Sequence, residues 1–263
     1  MVLFLFLSHL GLGILFTLAL VSREAGLRFF RFNAGMAALL IGAAFAVGPS
    51  AGELSAAGRA AWAALAAAEI AVVVYWATIG RMLTALRPAL LGAACAAGAA
   101  ALVGQALAAA GPGLGAKVLT VASFLTSAAL LGGSCTAMVL GHWYLILPSM
   151  QVTHLQSIVK VHIASMVARI AVVAAAVFVA IAVWPPGIGP SFRRYVLSAA
   201  GIFFWQRVLF GLAGPALLSY LTWETAKIRS TQSATGILYV DFFTVVVGEV
   251  LAKYLLLATR VPV

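Results

Sequence analysis

The sequence predicts an all-α integral membrane protein, a compact bundle of about eight transmembrane helices with both termini outside. Three observations carry that prediction. Of 263 residues, 64% are hydrophobic and only 8% are charged, with a mean hydropathy of +1.13. A soluble domain carries about a quarter charged residues, so this chain cannot cover its own surface with water-facing groups and lipid must cover it. The apolar residues also come in runs of about 20, the length that crosses a bilayer as a helix. Short connections bearing Arg, Lys, Gly and Pro separate the runs, and residues 1–263 read as a single transmembrane domain.

The first expected span covers residues 2–21. It carries no charge ahead of Arg23, whereas a signal peptide has a positive stretch before its apolar core; it therefore reads as a retained span. The second covers 33–47, reaches back through Phe29, Phe30 and Phe32, and is closed by Gly48-Pro49. The third covers 57–79, with Glu69 in its middle and Tyr75-Trp76 near its end. Pro88, suited to a first helical turn, opens the fourth over 88–110, and Gly111-Pro112-Gly113 breaks it from the next. The fifth, 116–147, is long enough to tilt or protrude and should end at Pro148; the sixth, 154–184, should stop at Pro185-Pro186. The seventh covers 192–223 and the eighth 234–259, joined by the polar segment 224–233. Gly92, Gly98 and Gly104, and Gly211 and Gly214, are small residues that let helices approach closely. Short connections imply an up-and-down bundle.

The net charge of +10 comes from basic residues scattered in ones and twos, with no basic stripe interleaved with aromatics. That argues against nucleic acid and for loops obeying the positive-inside bias, with the lipid bilayer as partner. Odd-numbered connections carry Arg23, Arg28, Arg31, Arg81, Arg87, Lys160, Lys227 and Arg229; the opposite side carries Arg59, Lys117, Arg193, Arg194 and Arg260. The richer side is expected to be cytoplasmic, in a bacterial inner (plasma) membrane. Cys95 and Cys135 lie in apolar runs without a CxxC pair and read as small buried thiols.

Ionisable groups inside a membrane are costly and mark candidate sites. Here they are Glu69, Arg169, Arg207, Asp241, Glu249 and Lys253. Glu249 and Lys253, four apart, are spaced for a direct ion pair; Arg169 and Arg207 have Glu69 or Asp241 as candidate partners. Glu69, Asp241 and Glu249 are the candidate proton carriers.

The segment 132–169 holds three of the four histidines. Cys135, Met138 and His142 share one helix face, and His162, Met166 and Arg169 another, so the two runs mirror each other across the Pro148 turn. Three chemistries suit that set. Copper would take His142, His162, Met138, Met166 and Cys135, a soft donor set for Cu(I). A b-type haem would take its axial ligands from His9, His142 and His162. A quinone headgroup would be held by His142, His162, Arg169 and Tyr239, with Asp241 completing the polar pocket. Helices joined by a tight turn pack about 8–10 Å apart, too close for a porphyrin between them, so the flat quinone fits best and copper second. The plain alternative is that the methionines fill space and the histidines satisfy neighbouring helices. No GxSxG, HExxH or phosphate-cradling glycine loop is present.

Gly248-Glu249-Val250-Leu251-Ala252-Lys253-Tyr254-Leu255 resembles the Gly-Glu-x-x-x-Arg/Lys-Tyr-Leu pattern near the end of the membrane anchors of dimethyl sulfoxide reductase-type and polysulfide reductase-type enzymes. The resemblance implies an eight-span anchor with outward termini that exchanges electrons and protons with quinone, has no cofactor of its own, and needs redox protein subunits as partners. Gly104-Gln105-Ala106 and Leu131-Gly132-Gly133 are similar to stretches of copper-resistance membrane proteins, although Gln105 stands where a copper site would want histidine. The leading expectation is thus a quinone-reactive membrane subunit of an electron-transfer complex. A transporter or copper-handling protein, a haem-binding subunit and a structural scaffold are the alternatives.

Overall fold

The computed structural model describes residues 1–50, 52, 54–81, 84–146, 151–184 and 191–263, and every regular element among them is helical. The long helices are α1 (Val2–Leu18), α2 (Gly26–Val47), α3 (Ala56–Thr78), α4 (Arg87–Ala109), α5 (Leu114–Ile146) and α6 (Val152–Ala182). They are followed by α7 (Phe192–Val196), α8 (Ile202–Val208), a π-helical turn (Leu209–Ala213), α9 (Gly214–Lys227) and α10 (Thr231–Thr259). Among the described residues seven helical segments are long and apolar enough to cross a membrane, which makes this a multi-pass protein in contact with lipid. Pro148 and Pro185-Pro186, expected to end two of the helices, lie outside the described residues.

The shorter helix, α1, is the centre of the bundle. It is apolar on every side, the pattern of a helix enclosed by others, and 13 of its 17 residues are buried. It packs against α2, α4, α5 and α10. Two glycines set how closely α5 approaches: a Cβ on Gly13 would stand 2.0 Å from the Ala128 carbonyl oxygen, and one on Gly132 would stand 2.0 Å from the Gly13 backbone. With the backbones in contact, Thr17 Oγ1 reaches Thr136 Oγ1 at 2.6 Å and the Gly132 carbonyl at 3.2 Å.

The span expected over 192–223 is not one helix: it is interrupted at Leu197-Ser198 after the short α7, and the helical run that follows, Ala199–Lys227, carries a π turn. Pro215 lacks an N–H, and its ring crowds the carbonyl four residues earlier, that of Gly211. The widened π turn at Leu209–Ala213 relieves that crowding. It also brings Gly211 against α10, where a Cβ on Gly248 would stand 2.1 Å from the Gly211 Cα. The local signal was Gly214-Pro215 inside an apolar run.

The six tryptophans mark two levels. Trp76, Trp143 and Trp223 lie towards the ends of α3, α5 and α9; Trp62, Trp184 and Trp205 lie towards the opposite end of the bundle. Such girdles are typical of the two membrane interfaces. Glu24, before α2, meets His154, early in α6, at 2.6 Å, so these loops share one end. Phe4 stacks on Trp62 at the other. Both cysteines are free thiols.

Candidate functional site

Glu249 is the hub of a buried charged cluster. It sits on the face of α10 that turns inward, one helical turn before Lys253, and is fully enclosed. Its Oε1 accepts from Arg169 Nε (α6) and from Arg207 Nη2 (α8), each at 2.9 Å. Its Oε2 accepts from Ser127 Oγ (α5) at 2.5 Å, Lys253 Nζ at 3.1 Å and Arg169 Nη2 at 3.3 Å. Arg169 also donates Nη1 to Ser123 Oγ at 2.7 Å and to the Ser123 carbonyl at 3.3 Å. The sequence-level partners for the arginines were Glu69 or Asp241; both arginines instead converge on Glu249. A single carboxylate reaches all three cations only where α5, α6, α8 and α10 meet, and even there Arg207 Nε and Nη1 have no hydrogen-bond partner among the described residues.

The side chains around the cluster fix proton positions. Ser127 Oγ donates its one proton to Glu249 and accepts from Lys253 Nζ. His9 Nδ1 lies 3.3 Å from the same oxygen, so His9 must be the donor and carries its proton on Nδ1. Its other nitrogen has no partner among the described residues, and the ring lies edge-on to Phe124 at 4.6 Å. His9, one of the candidate haem ligands, thus belongs to the Glu249 cluster. Ser123, Ser127 and the role of His9 were missed in the sequence. Their signals were a Ser pair four apart in one apolar helix and Ser8-His9 in another.

Back towards the start of α10, about 12 Å from Glu249 at 1.5 Å per residue, a second ionisable pair is enclosed. His162 Nε2 (α6) lies 2.8 Å from Asp241 Oδ2, and both side chains are inaccessible. The contact is close but not aligned as a hydrogen bond. Both ring nitrogens and both carboxylate oxygens lack a hydrogen-bond partner among the described residues. Buried polar atoms are nearly always satisfied, so this pair is where an additional group, water or ligand, is most needed.

The third pair is His142 Nδ1 (α5) with Tyr239 Oη (α10) at 3.0 Å, exposed at the bundle surface. Tyr239 and Asp241 are two residues apart on α10, about 200° around the helix, which sets one outward and the other inward. The proposed quinone residues His142, His162, Arg169 and Tyr239 are therefore divided among two pairs, on opposite sides of α10 at nearly one level, and the Glu249 cluster about 12 Å along it. His162, Met166 and Arg169 do share the buried face of α6. On α5, Cys135 is buried, Met138 half-buried and His142 exposed. The proposed copper donors His142 and His162 each take a different partner, and among the described residues no three His, Cys, Asp or Glu side chains gather in one place. Glu69 stands apart, half-buried between α3 and α2. Its Oε2 is unpartnered among the described residues, and its Oε1 lies 3.6 Å from where a Gly42 Cβ would stand.

Compared with protein-family models, with curated proteins and with solved structures, the chain matches none.

Proposed function

We propose that the protein is an integral-membrane subunit of an electron-transfer complex, an eight-span anchor in a bacterial inner membrane with both termini outside. It exchanges protons with quinone while a redox partner subunit supplies or takes the electrons. The observation that carries the reading is the His162–Asp241 pair, an acid and a base enclosed in the membrane interior with no aligned hydrogen bond. Intramembrane ionisable groups of this kind mark proton paths. The quinone headgroup meets the exposed His142–Tyr239 pair from the lipid side; one proton of the pair is held in their mutual hydrogen bond, and the other is available to a quinone carbonyl oxygen. Asp241 and His162 pass protons inward, and the cluster of Glu249 with Arg169, Lys253 and Arg207 holds the charge of that path in place. This arrangement gives the Gly248–Leu255 resemblance a physical content: Gly248 admits the helix crossing, Glu249 gathers the cations and Lys253 adds one from the next turn.

A short-chain ubiquinone analogue titrated against tryptophan fluorescence of the purified protein tests binding. His142→Gln and Tyr239→Phe are expected to weaken it alike, while Asp241→Asn retains binding and loses proton uptake when the bound quinone is reduced. Quinone affinity unchanged in both of the first two variants sinks the reading. A Soret band in the purified protein replaces it with a haem-binding subunit, and a redox subunit retained in mild detergent supports it.

A second reading, transport of a proton or an anion, is favoured by the imbalance of three buried cations around one carboxylate. Flux into liposomes holding this protein alone, abolished by Glu249→Gln, would select it.

A further inference from the structure

We propose that the α2–α3 surface holds a specific site for a phospholipid with an anionic headgroup, in the leaflet facing the loop that contains Arg23. A groove of about 640 Å³ runs down this face, with Arg28 and Arg31 at its mouth and Phe32, Met36, Leu39 and Trp76 along it. Steps of three and four residues keep these α2 positions on one helix face. Charge and apolarity are thus sorted by depth along it, cations first and hydrocarbon after.

The dimensions fit one lipid leaflet. From Arg28 to Leu39 the helix rises about 16 Å at 1.5 Å per residue, close to half of the roughly 30 Å hydrocarbon core. A phosphate at the two guanidinium groups therefore leaves an acyl chain lying over Phe32, Met36 and Leu39. Trp76 closes the α3 side, with the Arg31 guanidinium 5.6 Å from its ring centre. The indole can lie flat against α2 because residue 35 is glycine: a Cβ there would stand 2.7 Å from Trp76 Nε1. Below Leu39 the seam narrows at Gly42, against which Glu69 rests.

Charge complementarity identifies the occupant as anionic. Glu24, the acid nearest in sequence to Arg28 and Arg31, is engaged by His154 at 2.6 Å. Arg28 is exposed and Arg31 half-exposed, so both guanidinium groups keep donors for a phosphate. Basic pockets between transmembrane helices are a known mode of headgroup recognition. This one adds a fitted apolar furrow and an aromatic wall, which a free phosphate would leave unused.

The test is brominated-lipid quenching of Trp76, isolated as the difference between the unsubstituted protein and Trp76→Phe in vesicles. Brominated phosphatidylglycerol is expected to quench that component in preference to brominated phosphatidylcholine. Arg28→Gln/Arg31→Gln should reduce the preference by roughly ten- to thirty-fold, the effect of two basic residues at a membrane surface. Arg193→Gln/Arg194→Gln, at the other end of the bundle, should leave it unchanged. Equal quenching by the two lipids overturns the proposal, as does a preference that survives Arg28→Gln/Arg31→Gln. Loss of the preference in the Arg193→Gln/Arg194→Gln control also overturns it, because overall charge and not this groove would then select the lipid. Competition by inorganic phosphate alone would make this a free-phosphate site and equally reject the lipid.

Discussion

Replacing Glu249 by glutamine is the most informative single change, because it removes the only anion from a set of cations that cannot reach water. Arg169, Arg207 and Lys253 have relative accessibilities of 1%, 0% and 2%, and the nearest ion contact of each with Glu249 is 3.1 Å or shorter. Glutamine keeps the volume and one acceptor oxygen but leaves three like charges facing each other. Breaking a buried pair by removing one partner costs about 3–5 kcal/mol, and the geometry places Glu249→Gln at the upper end, since three cations lose their counter-charge together. Unfolding in mixed micelles of mild detergent and SDS, followed by tryptophan fluorescence, reads the loss. Lys253→Met is expected to cost about 1 kcal/mol or less, because it leaves no charge unpaired. The double variant should therefore recover part of the Glu249→Gln loss, with a coupling of about 0.5–3 kcal/mol. A loss below about 1 kcal/mol for Glu249→Gln, or strict additivity with Lys253→Met, would refute the view that charge balance holds this junction together.

Other substitutions probe other parts of the molecule. Gly132→Ala drives a methyl group into the α1 backbone and should cost about 1–3 kcal/mol or more in the same unfolding assay, whereas Gly236→Ala, with open space at its Cβ position, should be neutral or gain up to about 1 kcal/mol. Ser127→Ala removes the hydroxyl shared by Glu249, Lys253 and His9, at about 1–3 kcal/mol; the His9 ring resonances in nitrogen NMR should shift with it. Glu24→Gln breaks only a contact whose carboxylate is 63% exposed, so its effect on stability should stay below about 1 kcal/mol.

Composition and run length alone determined the class: a chain with this little charge has no solvent but lipid, and apolar runs of that length leave little choice beyond helices. They also placed most helix starts and ends to within a few residues, because glycine, proline and arginine interrupt the runs where the chain leaves the bilayer. The ionisable residues of the core stood out for the same reason, each being costly among alanine and leucine. The spacing of Glu249 and Lys253 was enough to foresee their pair. What the sequence could not decide was which distant groups meet. Arg169 and Arg207 are drawn to Glu249 rather than to Asp241 because the Gly211–Gly248 crossing brings α8 to that level of α10, and because Asp241 lies against His162. The π turn in the seventh span followed from Pro215 acting on Gly211, a local conflict that only packing resolves. Likewise His142 and Tyr239 meet at the surface while Asp241, two residues on, faces inward. Periodicity fixes which residues share a face of one helix; which face looks inward, and what it meets there, is decided when the helices pack.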